Sequence, residues 1–319
     1  MSGQLKDTVV VAVGGNSIIR DEAHKTVADQ YDSVAETCEH LADIVEAGFR
    51  LVICHGNGPQ VGFILRRSAI AFDAAGLHEV PLSSCVADTQ GAIGFQIQQA
   101  LEIELKKRGI HKKTATIVTR VVVDSEDSGF QNPTKPIGSF FSREKMEEVQ
   151  KNYPDWKFVE DSGRGFRRVV ASPVPEEIVE LDVIRDVVEK DYVVIACGGG
   201  GIPVVRTESG FSAVDAVIDK DLASALLSEK IKAKRFIIST GVQHVCLNFG
   251  QENEKKLERI GIDELRQYVQ EGHFAAGSML PKIEAAIDFI EKGGEEVIIT
   301  APEFLKDAID HKTGTIVTK

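Results

Sequence analysis

Thr8–Asn16 reads TVVVAVGGN: five consecutive aliphatic residues, Val9–Val13, run straight into Gly14, Gly15 and Asn16. A short β-branched run with no polar alternation is the pattern of a strand buried on both faces, as in a parallel sheet covered by helices. The same phrase recurs: LVICH (51–55) runs into Gly56–Asn57–Gly58, YVVIAC (192–197) into Gly198–Gly201, and FIIST (236–240) into Gly241. Ala115–Val123, Asp191–Cys197, Arg235–Ser239 and Glu296–Thr300 complete the expected strands with Thr8–Val13 and Arg50–Cys54. Amphipathic segments alternate with them: Asp29–Ala47, Gln60–Ala75 and Ser84–Arg108, each closed by a glycine, then Glu176–Glu189, Asp221–Lys230 and Pro281–Lys292. Strand–helix alternation implies right-handed crossovers and a three-layer α/β/α sandwich on a mainly parallel open sheet.

One stretch breaks the rhythm. Asp124–Ser172 carries NPTKPIG (132–138), a Gly/Arg cluster at 163–168 and Trp156, with no clear strand–helix–strand unit. It reads as a small protruding subdomain, residues 124–172, inserted between an N-terminal half (1–123) and a C-terminal half (173–319) of one domain spanning 1–319.

Composition sets the outer bounds. The chain has 319 residues, 43% of them apolar, enough for a large core, and a net charge of −12. That balance argues against a nucleic-acid partner, which needs a basic stripe, and against an anionic membrane surface. No aliphatic run approaches the roughly 20 residues of a membrane span, and the N-terminus lacks the apolar segment of a secretory signal. Cys38, Cys54, Cys85, Cys197 and Cys246 are scattered and odd in number, which reads as reduced thiols in a cytoplasmic protein.

Ligands of open α/β sheets lie beyond the carboxyl ends of the strands. Glycines there let the backbone approach an anion and present N–H groups to it. One such loop is explained equally well by a tight turn; four at one edge point to an oxyanion or phosphate. Familiar fingerprints are missing: there is no G-x-x-x-x-G-K-[ST], and GNGPQV (56–61) and GGGGIP (198–203) lack the last glycine of G-x-G-x-x-G, which disfavours a dehydrogenase. Three lysines stand near these loops. Lys135 lies between two prolines in PTKP, Lys220 sits between Asp219 and Asp221 at an expected helix start, and Lys282 occupies the first turn of another helix. A lysine at a helix N-terminus opposes the macrodipole, as Lys220 and Lys282 would, so an acidic chain that sets these two and Lys135 beside glycine loops and helix starts suggests an anionic ligand rather than solvated surface. His55 beside Cys54 does not read as a nucleophile pair, because neighbouring strand residues point to opposite faces. Cys246 and Trp156 read as packing residues, and Arg164, Arg167 and Arg168 as either gating or structural.

Gly14–Asn16, HGNGPQVG (55–62), NPTKPIG (132–138), GRGFRRVVASP (163–173), AVIDKDLAS (216–224) and GHFAAGSMLPKIEAA (272–286) together resemble the carbamate kinases of the amino acid kinase superfamily, and the likeness extends to KTGT (312–315). The resemblance implies a homodimeric enzyme that moves a phosphoryl group reversibly between carbamoyl phosphate and ADP, giving ATP and carbamate, with Mg²⁺ and no metal site supplied by side chains. It implies that Gly14, Gly15, Asn16, Gly56, Asn57 and Gly58 cradle the phosphoryl group and carbamate. Lys135 would close over the site, Lys220 and Lys282 would neutralise phosphate charge, and Asp221 would hold the lysines. The nucleotide would lie near Gly199, Gly200, Thr240, Gly241, Val242, Gly277 and Ser278. Two positions depart from the family pattern: Thr240–Gly241–Val242 stands where Thr-Asp-Val is usual, and Ala87–Asp88–Thr89–Gln90–Gly91 where Ala-Met-Ser-Gln-Gly is. They keep open a related kinase of another small carboxylate, or a sensor that binds nucleotide or carbamoyl phosphate without turnover. An arginine- or ureido-catabolic role is the metabolic expectation.

Overall fold

Val9, Val11 and Val13 pack into one hydrophobic core while Val10 and Ala12 pack into another, so the first strand, Thr8–Val13, is apolar on both faces because both faces are covered. The computed structural model describes residues 7–15, 26–160, 165–275 and 277–319. Its main sheet has eight strands in the order 259–261, 315–318, 296–300, 235–239, 8–13, 50–55, 193–195, 114–116. The six from Glu296–Thr300 to Thr114–Thr116 are mutually parallel, and the two at the other edge run the opposite way.

Helices Val27–Glu46 and Leu82–Lys107 cover one face, sharing a core with Ile53, Ile237 and Ile298. Leu181–Glu189, Lys220–Lys230, Ile262–Gln270 and Leu280–Glu291 cover the other, where Phe236 and Phe289 meet edge-on with centroids 5.7 Å apart. Such a pair adds about 1 kcal/mol to what its buried area contributes. The helix starts follow local chemistry. Thr26 and Asp29 cap Val27–Glu46 reciprocally, and Asp219 caps Lys220–Lys230 by accepting from Asp221 N–H.

Two expected elements divide. Ala115–Val123 forms Thr114–Thr116 in the main sheet and Arg120–Val123 in a second, four-stranded sheet with 175–178, 202–207 and 210–213. The break is at buried Thr119, whose N–H and C=O are both taken by the Gln90 amide, at 2.8 and 3.0 Å. Glu176–Glu189 likewise divides into strand Pro175–Ile178 and helix Leu181–Glu189. Within 124–172 lies a three-stranded antiparallel sheet of 135–141, 166–170 and 157–160, with a helix at Arg143–Asn152 that the sequence reading did not anticipate. Trp156 packs there as expected, stacked 4.2 Å from Tyr153 with the Arg168 guanidinium 3.8 Å over its ring.

Candidate active site

Strand order places the site. From Thr8–Val13 the chain crosses to Arg50–His55 on one side, while Arg235–Ser239 lies on the other, so a crevice opens beyond the carboxyl ends of these strands. Val13 is level with both His55 and Ser239, and Ser239 with Thr300, which brings the glycine turns to one edge. Gly14 lies against the first strand's neighbour: a Cβ there would sit 2.9 Å from Ser239 O, beside Thr240.

Five charged side chains form the centre. Lys220 Nζ lies 2.5 Å from Asp221 Oδ1, and Lys282 Nζ lies 3.1 Å from Asp221 Oδ2 and 3.2 Å from the Ser278 carbonyl. Lys135, on the strand Lys135–Phe141, reaches across to donate to Asp219 Oδ2 at 2.6 Å. Asp221 is 2% exposed, so its charge is tolerated only because both oxygens are paired. Burial alone would raise the Asp219 pKa, but the Lys135 charge and hydrogen bond, then Lys220 and the Asp221 N–H, outweigh it and hold the carboxyl at about 2. Two aspartates thus fix three ammonium groups, and the Lys220 stem crosses Gly56, where a Cβ would meet Lys220 Cδ at 3.3 Å.

The glycine turns are held by polar side chains. Asn57 donates to Gly199 O at 3.3 Å and accepts from Thr89 Oγ1 at 2.6 Å. Gln90, besides holding Thr119, donates to Gly198 O at 3.0 Å. Gly199 and Gly200 have φ of 67° and 93°, and a Cβ on either would overlap Asn57 or the Ile218 carbonyl, so glycine is required twice over. His55 Nδ1–H donates to Gly56 O at 2.9 Å. Its Nε2 is buried against Gly198 without a hydrogen-bond partner among the described residues. Burial, opposed only by the Gly56 contact, lowers its pKa to about 4 and keeps the ring neutral. Cys54 points into the opposite core, and burial pushes its thiol up to about 12.

Lys220, Asp221 and Lys282 therefore meet directly, Lys135 joins them through Asp219, the Lys220 stem lies at Gly56, and Asn57 meets Gly199. Gly200 lies against Ile218, and Thr240 is bonded by its N–H to Thr300 O at 2.8 Å beside Gly14. Gly15 and Gly58 continue the two N-terminal turns, while Gly241 and Val242 continue the turn from Thr240; Gly277 precedes the Ser278 carbonyl that Lys282 reaches. Asn16 and Arg164 lie outside the described residues. Sequence reasoning missed three contributors: Asp219, readable from the symmetry of Asp-Lys-Asp, and Thr89 and Gln90, beside an Asp88 that faces solvent.

The profile of the amino acid kinase family matches residues 7–301, and the chain belongs to that family. Within it the chain stands with the carbamate kinases in sequence and fold and is an enzyme of the ATP-dependent kinase class. It is 52% identical over 316 residues to the carbamate kinase-like protein YahI of Escherichia coli K12, covering 99% of this chain and all of that one. To the carbamate kinase of Thermococcus kodakarensis it is 46% identical over 312 residues, covering 98% and 99%. A structure of the carbamate kinase from Giardia lamblia bound to AMP-PNP superposes with a TM-score of 0.90 at 38% identity, over 98% of each chain.

Proposed function

We propose that this protein is a carbamate kinase, transferring a phosphoryl group reversibly between carbamoyl phosphate and ADP to give ATP and carbamate. The observation that carries the reading is the network joining Lys135, Lys220 and Lys282 through Asp219 and Asp221 over the glycine turns. Phosphoryl transfer asks for in-line positioning and charge neutralisation, with little covalent work for the protein. The bond from phosphorus to the carbamoyl oxygen breaks as one to the ADP β-phosphate oxygen forms. Carbamate leaves as a stabilised oxyanion, so no general acid is needed. Gly14–Gly15 and the turn 56–58 bind the acyl phosphate through backbone N–H groups. Lys220 and Lys282 offset the repulsion between two anionic substrates, each contributing about 4 kcal/mol at ~4 Å before desolvation. Lys135 closes the site from residues 124–172, which act as a lid that excludes water. The nucleotide lies along Gly199–Gly200, Thr240–Val242 and Gly277–Ser278.

The site's carboxylates do not form a metal cage: both oxygens of Asp219 and of Asp221 are engaged by lysines or a backbone N–H. Mg²⁺ fits this site as a companion of the nucleotide phosphates, held by phosphate oxygens and water. A homodimer is supported by Phe95 and Ile103, which are exposed on helix Leu82–Lys107. No helix among the described residues is long and apolar enough to cross a membrane; action in the cytoplasm is part of the proposed role. ATP formation during arginine or ureido-compound breakdown is the role we assign.

A second reading, a kinase of another small carboxylate, is favoured by Gly241, which removes a carboxylate from the nucleotide turn. A coupled assay of ATP formation from ADP and Mg²⁺, with carbamoyl phosphate and acetyl phosphate in parallel, separates the two. Preference for carbamoyl phosphate supports the first reading, and preference for acetyl phosphate replaces it with the second.

A further inference from the structure

A cavity of about 720 Å³ opens at the outer edge of the main sheet, where strands Arg259–Gly261 and Thr315–Thr318 meet the hairpin of Val245–Leu247 and Lys255–Leu257. It lies apart from the lysine network, none of whose members lines it. Arg259 is level with Ile316 and Ile316 with Ile298, on the face that carries helix Val27–Glu46. The helices that begin at Lys220 and Leu280 pack on the other face.

Lys255, Lys256 and Arg259 line this cavity, and none has a carboxylate within ion-pair distance among the described residues. Lys312 also lines it but is tied to Asp310 at 2.9 Å. Glu258 and Glu264 are the acidic members, and Glu264 accepts the Tyr268 hydroxyl at 2.7 Å. In a chain of net charge −12, these three cations outnumber the two carboxylates around one concavity, an excess of positive charge that a bound anion would relieve. His244, also on the wall, is held below the usual imidazole range by burial first and then by Lys256, against Glu258. Ile316 and Leu257 add apolar surface for a carbon skeleton.

We propose that this edge cavity is a second anion site, binding a small molecule with two or more phosphate charges independently of the phosphoryl-transfer site. The wall leads to the catalytic edge: Gln243 donates to Thr313 Oγ1 at 2.8 Å and accepts from Thr300 Oγ1 at 3.2 Å, and the Thr300 carbonyl holds Thr240 N–H. The site's position therefore suits an effector that acts on the Thr240–Val242 turn.

The binding claim does not rest on the proposed reaction and is tested by calorimetry with inorganic pyrophosphate and, separately, fructose 1,6-bisphosphate. Three proteins are compared: wild type, the exposed-residue double variant Lys256→Ala/Arg259→Ala, and Lys282→Ala. Losing a charge-assisted hydrogen bond weakens binding about tenfold, so the double variant loses about a hundredfold in one binding component. That component persists within threefold in Lys282→Ala, and the double variant keeps wild-type turnover without added anion. Absence of pyrophosphate and bisphosphate binding to wild type, unchanged binding in the double variant, or loss of the same component in Lys282→Ala overturns the proposal. With the site upheld, the tighter of the two probes tells whether an inorganic or an organic phosphate is its source.

Discussion

Asp221→Asn removes the charge that joins Lys220 to Lys282 while leaving the side chain's shape. In the intact protein its oxygens lie 2.5 and 3.1 Å from the two ammonium groups, whose side chains are 13% and 15% exposed. At an effective dielectric of ~20, each attraction at ~3 Å is about 5 kcal/mol before desolvation. Breaking such a buried pair from one side costs a net of roughly 3–5 kcal/mol, because the cations remain buried without a counter-charge. In urea unfolding at pH 7 that loss lowers the midpoint by about 1 M, for a slope of about 3–4 kcal/mol/M in a chain of this size. High salt leaves most of the difference, since buried pairs are weakly screened. Inorganic phosphate, entering the uncompensated positive field, raises the variant's midpoint more than the wild type's. A midpoint equal to that of wild type would refute the argument that Asp221 holds the two lysines.

Gly62→Ala places a Cβ 2.7 Å from Gly138 Cα, where helix Gln60–Ala75 meets strand Lys135–Phe141. Overpacking of about 1–3 kcal/mol lifts that strand, so KM for carbamoyl phosphate rises while calorimetric ADP affinity stays within a few-fold. Equal increases in both would contradict a lid role. His55 is neutral in the fold with a pKa near 4 against 6.5 unfolded, so the unfolded state binds more protons between those values. Stability is full above about pH 6.5 and declines as pH falls towards 4, by about 3 kcal/mol, and His55→Asn flattens that slope in urea melts from pH 7 to 4. Lys135→Ala leaves Asp219 without its principal cation: turnover falls at least a hundredfold, while a urea midpoint within about 0.5 M of wild type shows that the loss is local to the site.

The parallel sheet was legible because strands such as Thr8–Val13 and Glu296–Thr300 are buried on both faces and carry polar residues only at their ends. The division of Ala115–Val123 was not, because apolar runs do not record a change of sheet; the cause is Gln90, 29 residues away in sequence. Helix Arg143–Asn152 has no buried residue, so its pattern carried no core-facing signal. At the site, Lys220 and Lys282 announced themselves by opposing helix dipoles, and Lys135 by standing between two prolines. Asp219 was passed over beside Lys220 because its partner Lys135 lies 84 positions away in sequence. Thr89 and Gln90 act through long-range bonds to Asn57 and Gly198, which local spacing does not encode.

The central claim is that this lysine network transfers a phosphoryl group rather than merely binding phosphates. Its most direct test is ATP formation from carbamoyl phosphate, ADP and Mg²⁺ by wild type and Lys220→Ala, with ADP affinity measured on both. Loss of about 4 kcal/mol of charge stabilisation predicts a fall in turnover of about a thousandfold, with ADP binding weakened far less. Absence of turnover in a wild-type protein that binds ADP, or equal turnover in the variant, would contradict it.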